Sequence, residues 1–411
     1  MSPLDAATPT GGRGAIAARE VPRGSGSALL AFRLAWRQLR HEPARLAAAL
    51  SGVMFACVLI FMQLGFLNAL MDSAVTLQLG MRAEIYIMPR TTEALWRSSP
   101  LPRARLMQAL AEPEVARVTP LSVSAATLKN PVDGQKRTLL LLGLDPQAGL
   151  LALPGLTQAK LDAVTRPDTI LFDERAKPQF GPIPRLLANG PVVVELNNRR
   201  AEIVGLFAVG PTFGTEGHAI TSDVNFRRFI PGRSFGEVDV GAVFLRPGAD
   251  PEAVRARLAT ILPDDVMVLT HAGLVQFERD YWTQTAPIGF VFGLGVVIGL
   301  VVGCVIVYQI LFSDISRHIS EYATLKAIGY PNAYLARVVL GEALILAVLG
   351  FIPGVLLARA LYALASAQIY IPLVMDLRMV SFVLGLIFVM CVLSGLLALR
   401  KLRDANPADM F

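Results

Sequence analysis

Four predominantly apolar runs, Leu46 to Met71, Ala286 to Phe312, Leu335 to Leu357 and Met379 to Leu399, constrain this chain more than any other feature. The first carries no charged residue. As a helix rising 1.5 Å per residue it reaches roughly 39 Å, more than the ~30 Å hydrocarbon core of a bilayer. Lipid offers the backbone no hydrogen-bond partners, so such runs enter it as helices that satisfy their own polar groups. Of the 411 residues, 54% are hydrophobic and 17% charged, with a mean hydropathy of +0.52. That is too apolar for an ordinary soluble chain and too polar for spanning helices alone. The expected fold class is an integral membrane α-helical protein with four transmembrane helices plus a large extracytoplasmic α+β domain between helices 1 and 2.

Basic residues set the orientation. Arg33, Arg37, Arg40 and Arg45 precede the first run, Arg317, Lys326 and Arg337 surround the second-to-third connection, and Arg400, Lys401 and Arg403 follow the fourth. The third-to-fourth connection offers Arg359 and Arg378. The positive-inside rule then places both termini and the 313–334 connection in the cytoplasm, and residues 72–285 outside.

In chain order, residues 1–27 are rich in Gly, Pro, Ala and Arg without apolar period, and read as a disordered cytoplasmic tail without a signal-peptide h-region. Residues 28–42 read as an interfacial amphipathic helix, with Leu29, Phe32, Trp36 and Leu39 on one stripe and Arg33, Arg37 and Arg40 beside it. Arg33, Trp36, Arg37 and Arg40 are its candidate membrane-surface residues; packing on protein is the alternative. The spans follow at 46–71, 286–312, 335–357 and 379–399. Between them lie the external domain (72–285), a cytoplasmic coupling helix (313–334) and a short external loop (358–378), with a cytoplasmic tail at 400–411.

Within 72–285, Ala83 to Met88, Pro191 to Leu196, Ala201 to Val209 and Val238 to Leu245 read as strands from their β-branched and aromatic content. Arg103 to Leu110 and Pro251 to Leu262 read as helices. Pro and Gly around 130–134 and 178–184 allow two subdomains.

Several chemistries are missing. No G-x-x-x-x-G-K-[ST] run occurs, so there is no phosphate-cradling loop, and no H-E-x-x-H pair for zinc. The four histidines, His41, His218, His271 and His318, are far apart, and Cys57, Cys304 and Cys391 each fall in a different apolar run. No bound cofactor and no catalytic residue is expected. The formal charge of +6 sits beside the apolar runs, which favours anionic lipid over nucleic acid. Ser394-Gly395 in the fourth run reads as a packing site rather than a protease nucleophile.

Gly295, Gly299 and Gly303 recur every four residues on one face of the second run, after Gly289 and Gly293. They are candidate helix-packing residues, because glycine lets two backbones approach closely, within the chain or between two copies. Glu342, near the start of the third run, reads as a side chain that snorkels or pairs with Lys326 or Arg337, in preference to part of an ion path.

Between the second and third runs, Asp314, Arg317, His318, Glu321 and Lys326 supply a polar surface. Ile315, Ile319, Tyr322, Leu325 and Ile328 supply an apolar set near helical spacing, closed by Gly329 and Pro331. This is a short amphipathic helix on the membrane surface, either a handle for a motor protein or a plain connector.

The run from Ile319 to Tyr330, ISEYATLKAIGY, with a span beginning near Leu335, resembles the coupling-helix region of ABC-transporter permeases of the MacB, LolC and FtsX kind. Leu34 to Leu39, Phe61 to Phe66, Asp72 to Val75, Lys129 to Pro131 and Thr215 to Asp223 resemble the DevC branch of heterocyst-glycolipid-type exporters. The resemblance implies an inner-membrane permease that pairs as a homodimer with two ABC ATPase subunits, which bind the ATP and Mg. It also implies a membrane-fusion adaptor, a TolC-like outer-membrane channel, and mechanotransmission driving efflux of a lipid, glycolipid or other hydrophobic cargo. Carried onto this sequence, Asp314, Arg317, Glu321, Tyr322, Lys326, Gly329 and Tyr330 are the candidate ATPase-coupling residues. The Pro211 to Asp223 stretch is a candidate adaptor contact, or an ordinary surface loop. The competing expectations are an FtsX-like signalling scaffold that regulates a cell-envelope hydrolase and an ATPase-independent membrane receptor.

Overall fold

The computed structural model describes residues 43–404, except Phe213, Ala286, Tyr322, Ala323, Leu325, Lys326, Ala327, Gly329 and Tyr330. The expected tail at 1–27 and interfacial helix at 28–42, with Arg33, Trp36, Arg37 and Arg40, lie outside the described residues.

Four helices, Pro43–Leu79, Ile288–Arg317, Asn332–Ile369 and Leu377–Asp404, are long and apolar enough to cross a membrane. Each outlasts the run that predicts it. The first continues eight residues past Met71, and the second takes in Ser313–Arg317. The third runs on through residues 358–369 (ARALYALASAQI), leaving only a short connection before Leu377 where a loop of 358–378 is expected. The reason is that apolarity ends before helix propensity does: Ala- and Leu-rich sequence continues a helix with or without lipid around it. The stops are local. Tyr370 adopts φ +60° at the end of the third helix, Leu373 N–H donates to Ser366 Oγ at 2.9 Å, and Asp376 Oδ1 accepts from Met379 N–H at 2.9 Å to open the fourth.

The chain forms two compact units. One comprises the described parts of Met1–Cys57, Leu300–Gly354 and Leu384–Phe411, which are helical segments. The other comprises Val58–Gly299 and Val355–Val383 and contains the α+β domain.

That domain has eleven strands: β1 (Ile85–Pro89), β2 (Leu101–Pro102), β3 (Val115–Lys129), β4 (Lys136–Leu144), β5 (Thr169–Asp173), β6 (Val192–Leu196), β7 (Arg199–Phe207), β8 (His218–Ser222), β9 (Glu237–Val238), β10 (Val240–Leu245) and β11 (Val266–Thr270). Nine form one sheet in the order β11-β1-β10-β3-β4-β8-β5-β7-β6, and β6 also pairs with β3 through Leu128↔Leu196 and Lys129↔Glu195. Six strands thus close into a ring, which removes the exposed edge that an open sheet would present. The 15-residue β3 belongs to both halves: its first part pairs with β10 and its second with β4, changing partner at Leu121.

The strands bury both faces. In β4, Leu139 and Leu141 enter one core with Phe172, Phe180 and Ile203, while Leu140 and Leu142 enter another with Tyr86, Leu121 and Phe207. A third core packs Ile85, Ile87 and Val243 against helices Ala104–Ala109 and Pro251–Ile261 through Leu106, Val254 and Leu258. The expected strands at 83–88, 191–196 and 201–209 and both expected helices match observed elements to within two residues at either end. The single strand expected at 238–245 is two, β9 and β10, broken at Asp239.

Asp239 is fully buried. Its carboxylate pairs with Arg233 and accepts from Val123 N–H at 2.8 Å, and its own N–H donates to Leu121 O at 3.2 Å. It therefore clasps β3 where β3 changes partner. Burial pushes this carboxyl above the ordinary range while Arg233 and the Val123 N–H pull against it.

Gly143 in β4 leaves room for the ring of Phe226: a Cβ there would lie 2.4 Å from Phe226 Cβ. Gly143→Ala is expected to destabilise the full-length protein by about 1–3 kcal/mol, and to cost less in a Phe226→Ala background. A double-mutant cycle of thermal unfolding reads this coupling, and equal costs in both backgrounds contradict it.

Candidate coupling link, helix contacts and buried polar nodes

The link between the second and third helices is built differently from its sequence expectation. Asp314 and Arg317 sit on the last turns of the second helix, not on a separate surface helix. Ile315 between them is fully buried and Arg317 is exposed. The chain bends at His318, whose N–H donates to Asp314 O at 3.2 Å. Helix resumes over Ile319, Ser320 and Glu321, with Glu321 exposed. Thr324 Oγ1 donates to Ser320 O at 2.8 Å, and Ile328 N–H to Thr324 O at 3.0 Å. Tyr322, Lys326, Gly329 and Tyr330 lie outside the described residues. Two charged groups, Arg317 and Glu321, therefore reach solvent on either side of one bend. Glu342, expected to snorkel or pair, is 1% exposed, so its carboxylate does not reach the surface of its unit.

Glycines set the helix spacing within each unit. In the helical unit, a Cβ on Gly303 would fall 2.6 Å from Ala56 Cβ and 2.4 Å from Met390 Sδ. Gly52 meets Ile306 in the same way, Gly350 meets Val53, and Gly354 meets Cys57. Gly350 and Gly354 flank Pro353, which removes one hydrogen bond from the third helix. In the other unit, Gly295 faces the side chain of Gln63, and Gly299 rests at ordinary contact on Ile60 and Leu59. Gly65 makes way for Tyr362, whose hydroxyl donates to Phe61 O. Thus Gly295, Gly299 and Gly303 all turn toward the first helix of the same chain, whereas Gly293 and Gly385 face open space. Ser394 Oγ lies 2.9 Å from Cys304 O and 2.8 Å from Met390 O, a tie between two helices rather than a free nucleophile.

Sequence reasoning missed the buried polar groups of the domain. Asp173, 0% exposed, accepts from Val209 N–H at 3.0 Å, Gly210 N–H at 2.8 Å and Arg175 N–H at 3.1 Å, and faces His218 Nδ1 at 3.3 Å. His218 Nε2 in turn lies 3.4 Å from Thr215 Oγ1. The series hydroxyl, imidazole, carboxylate resembles a hydrolase triad, but both spacings exceed the reach of efficient proton transfer. The cleft beside Thr215 has about 20 Å³ of space, enough for one water and not for a scissile bond. The arrangement holds the turn at Val209 to His218. The same residues correct a second expectation: His218–Ser222, within the stretch expected as a surface loop or adaptor contact, is the buried strand β8 between β4 and β5. Glu278, 2% exposed on helix His271–Asp280, accepts from Leu95 N–H at 3.0 Å, and burial pushes its carboxyl above the ordinary range. Isolated acidic residues carry no period that sequence could reveal. Among the described residues no group of His, Cys, Asp and Glu is placed to hold a metal ion.

The glycine contacts predict a contrast. Gly303→Val drives methyl groups onto Ala56 and Met390 and is expected to cost about 1–3 kcal/mol or more, whereas Gly385→Val stays within about 0.5 kcal/mol of wild type. Unfolding temperatures of the two variants in the same lipid nanodiscs decide it; equal losses overturn the assignment.

Comparison with known proteins places this architecture. The MacB-like periplasmic core domain family matches residues 46–261, and the FtsX-like permease C-terminal family matches residues 285–407. No curated protein matches the chain. Among solved structures, the periplasmic region of MacB from Actinobacillus actinomycetemcomitans is 16% identical, the match covering 48% of this chain and 93% of that one, with a TM-score of 0.33. The extracellular domain of the ABC-type transporter YknZ from Gram-positive bacteria is 13% identical, the match covering 46% of this chain and 98% of that one, with a TM-score of 0.30. The chain belongs to the MacB/FtsX superfamily of ABC permeases, multi-pass inner-membrane proteins, with its periplasmic α+β domain between the first and second of four spanning helices.

Proposed function

We propose that this chain is the permease subunit of an ATP-driven export complex whose motor is a separate ABC ATPase. The observation that carries the reading is the link between the second and third helices, where a charged, exposed turn (Arg317, Glu321) joins two spanning helices across a bend. The chain has no phosphate-cradling sequence of its own, so ATP and Mg belong to the partner. In this reading Asp314, Arg317, Glu321, Tyr322, Lys326, Gly329 and Tyr330 meet the ATPase from the cytoplasm, with both termini on that side.

Movement at the link reaches the periplasmic domain through helices. The second helix carries the link at one end and leads back toward the domain at the other. The first is unbroken over 37 residues from Pro43 to Leu79, roughly 55 Å at 1.5 Å per residue. Side chains that interlock over glycine resist sliding past one another, so a displacement of one helix is passed on rather than absorbed. Two copies working with two ATPase subunits, an adaptor and an outer-membrane channel complete the proposal, with a hydrophobic or amphiphilic cargo of the glycolipid kind suggested by the DevC-like stretches.

The test is the vanadate-sensitive ATPase activity of the permease co-purified with its candidate ATPase. Glu321→Ala combined with Lys326→Ala is expected to weaken association by on the order of tenfold, about 1.4 kcal/mol, and to lower coupled activity at unchanged membrane level. Wild-type association and activity in the double variant would remove the link from the ATPase interface.

A further inference from the structure

Charge marks where the third and fourth helices meet the membrane surfaces. Arg337 and Arg359 of the third helix enclose 21 residues whose one charge is Glu342, and Arg378 and Arg400 of the fourth enclose 21 residues with none. At 1.5 Å per residue either stretch rises roughly 32 Å, about the thickness of a hydrocarbon core. Arg359 and Arg378, both exposed, therefore stand at the boundary on the side of the α+β domain.

The 18 residues between these two arginines lie beyond that boundary, yet Asp376 is their only charge, and its carboxylate is engaged in accepting Met379 N–H at 2.9 Å. Leu364, Tyr370, Val374 and Leu377 are exposed, Val374 at 66% and Leu377 at 80%. Tyr362 Oη lies 3.4 Å from Met379 Sδ, which sets these two residues level. From Tyr362 the third helix rises seven residues further to Ile369, roughly 10 Å. The positive φ of Tyr370 then reverses the chain, and the bond from Leu373 N–H to Ser366 Oγ brings it back alongside the helix. The apolar 370–377 connection thus descends through a layer ~10 Å deep directly above Arg378, the depth at which lipid headgroups lie and amphipathic segments insert.

Two observations select the occupant. An apolar connection flanked by two cations matches the layering of a phospholipid, with phosphate outside and acyl chain within, and a tyrosine at its start suits the interface. A second copy meeting this patch on a two-fold axis sets Arg359 and Arg378 against their own counterparts, a like-charge juxtaposition.

We infer that the 370–377 connection is an interfacial anchor seated in the headgroup layer of the leaflet facing the domain, with Arg359 and Arg378 on phospholipid phosphates and the apolar side chains against the upper acyl chains. Such an anchor sets the depth and tilt of the third and fourth helices. It goes beyond the export reading and holds whether or not the chain works with an ATPase.

The test places an environment-sensitive fluorophore on Val374→Cys in the full-length protein, in a Cys57→Ala, Cys304→Ala, Cys391→Ala background, in nanodiscs of phosphatidylcholine and phosphatidylglycerol. The expected result is quenching by a headgroup-nitroxide lipid at least threefold stronger than by a lipid carrying the nitroxide deep in its acyl chain, and iodide quenching at least threefold weaker than for the same fluorophore on glutathione. Iodide quenching equal to that on glutathione places the connection in water and overturns the anchor. Shielding that appears only in discs holding two copies also overturns it, in favour of a contact between copies. Arg359→Gln with Arg378→Gln is expected to lower the headgroup-nitroxide quenching at least twofold at retained unfolding temperature, while Arg359→Lys with Arg378→Lys keeps it. Unchanged quenching in the glutamine variant overturns the assignment of the arginines to phosphate.

Discussion

Close backbone approach along the first spanning helix is the constraint on which the membrane part of this protein depends. Inside a bilayer there is no hydrophobic gain from bringing two apolar helices together, so association rests on contact between well-fitted surfaces. The first helix meets glycine surfaces in both units: Gly303, Gly350 and Gly354 lie against Ala56, Val53 and Cys57 in one, Gly295 and Gly299 against Gln63, Leu59 and Ile60 in the other. At Gly65 the relation is reversed, and the first helix itself yields to Tyr362. The second helix has the lowest buried share of the four, 17% of its most apolar window, and its glycines Gly295, Gly299 and Gly303 are among its points of contact with the first.

The water-exposed half solves a different problem with a different device. An open sheet edge invites pairing with another chain, and closure of β6 onto β3 removes one such edge, leaving β11 at the other end of the sheet. Closure requires a strand long enough to serve two neighbours in succession on one side, which is the role of the 15 residues of β3. The change of partner at Leu121 interrupts regular pairing, and the buried Asp239 carboxylate supplies the hydrogen bond to Val123 N–H that the ladder no longer provides. Asp173 accepts three backbone N–H groups and Glu278 accepts that of Leu95. Three buried acids of the domain, Asp173, Asp239 and Glu278, therefore serve backbone geometry.

How much of this the sequence disclosed follows from which signals survive in one dimension. The four spans were legible because uncharged runs of that length have few other destinations. Their ends were not, because the Ala- and Leu-rich sequence after Leu357 stays helical where apolarity fades. Strands rich in β-branched and aromatic residues stood out, among them β7, whose burial alternates along Ala201–Phe207. Two of the strands buried on both faces did not: Leu139 to Leu142 and His218 to Ser222 show no period of two, since each alternate residue enters a different core. Of the candidate site, the glycine row was readable as spacing, but its partners on the first helix are contacts between residues more than 200 positions apart. The bend at His318 was hidden because the sequence on either side of it is equally competent to form helix.

The position of that bend bears on how a permease without chemistry of its own could be driven. Had the second helix ended at Phe312, the link would hang from a flexible stem and its motion would be lost in local rearrangement. Because the helix continues to Arg317 with Ile315 packed inside, the link is attached to a stem already fixed by burial. On the proposed reading, force applied beyond the bend acts on the second helix, whose glycine face rests on the first. On that reading the residues that would pass movement on are small and apolar, and the charged ones lie at the link. Substitutions in the two sets should accordingly fail in different ways, the first by loosening the bundle and the second by releasing the motor.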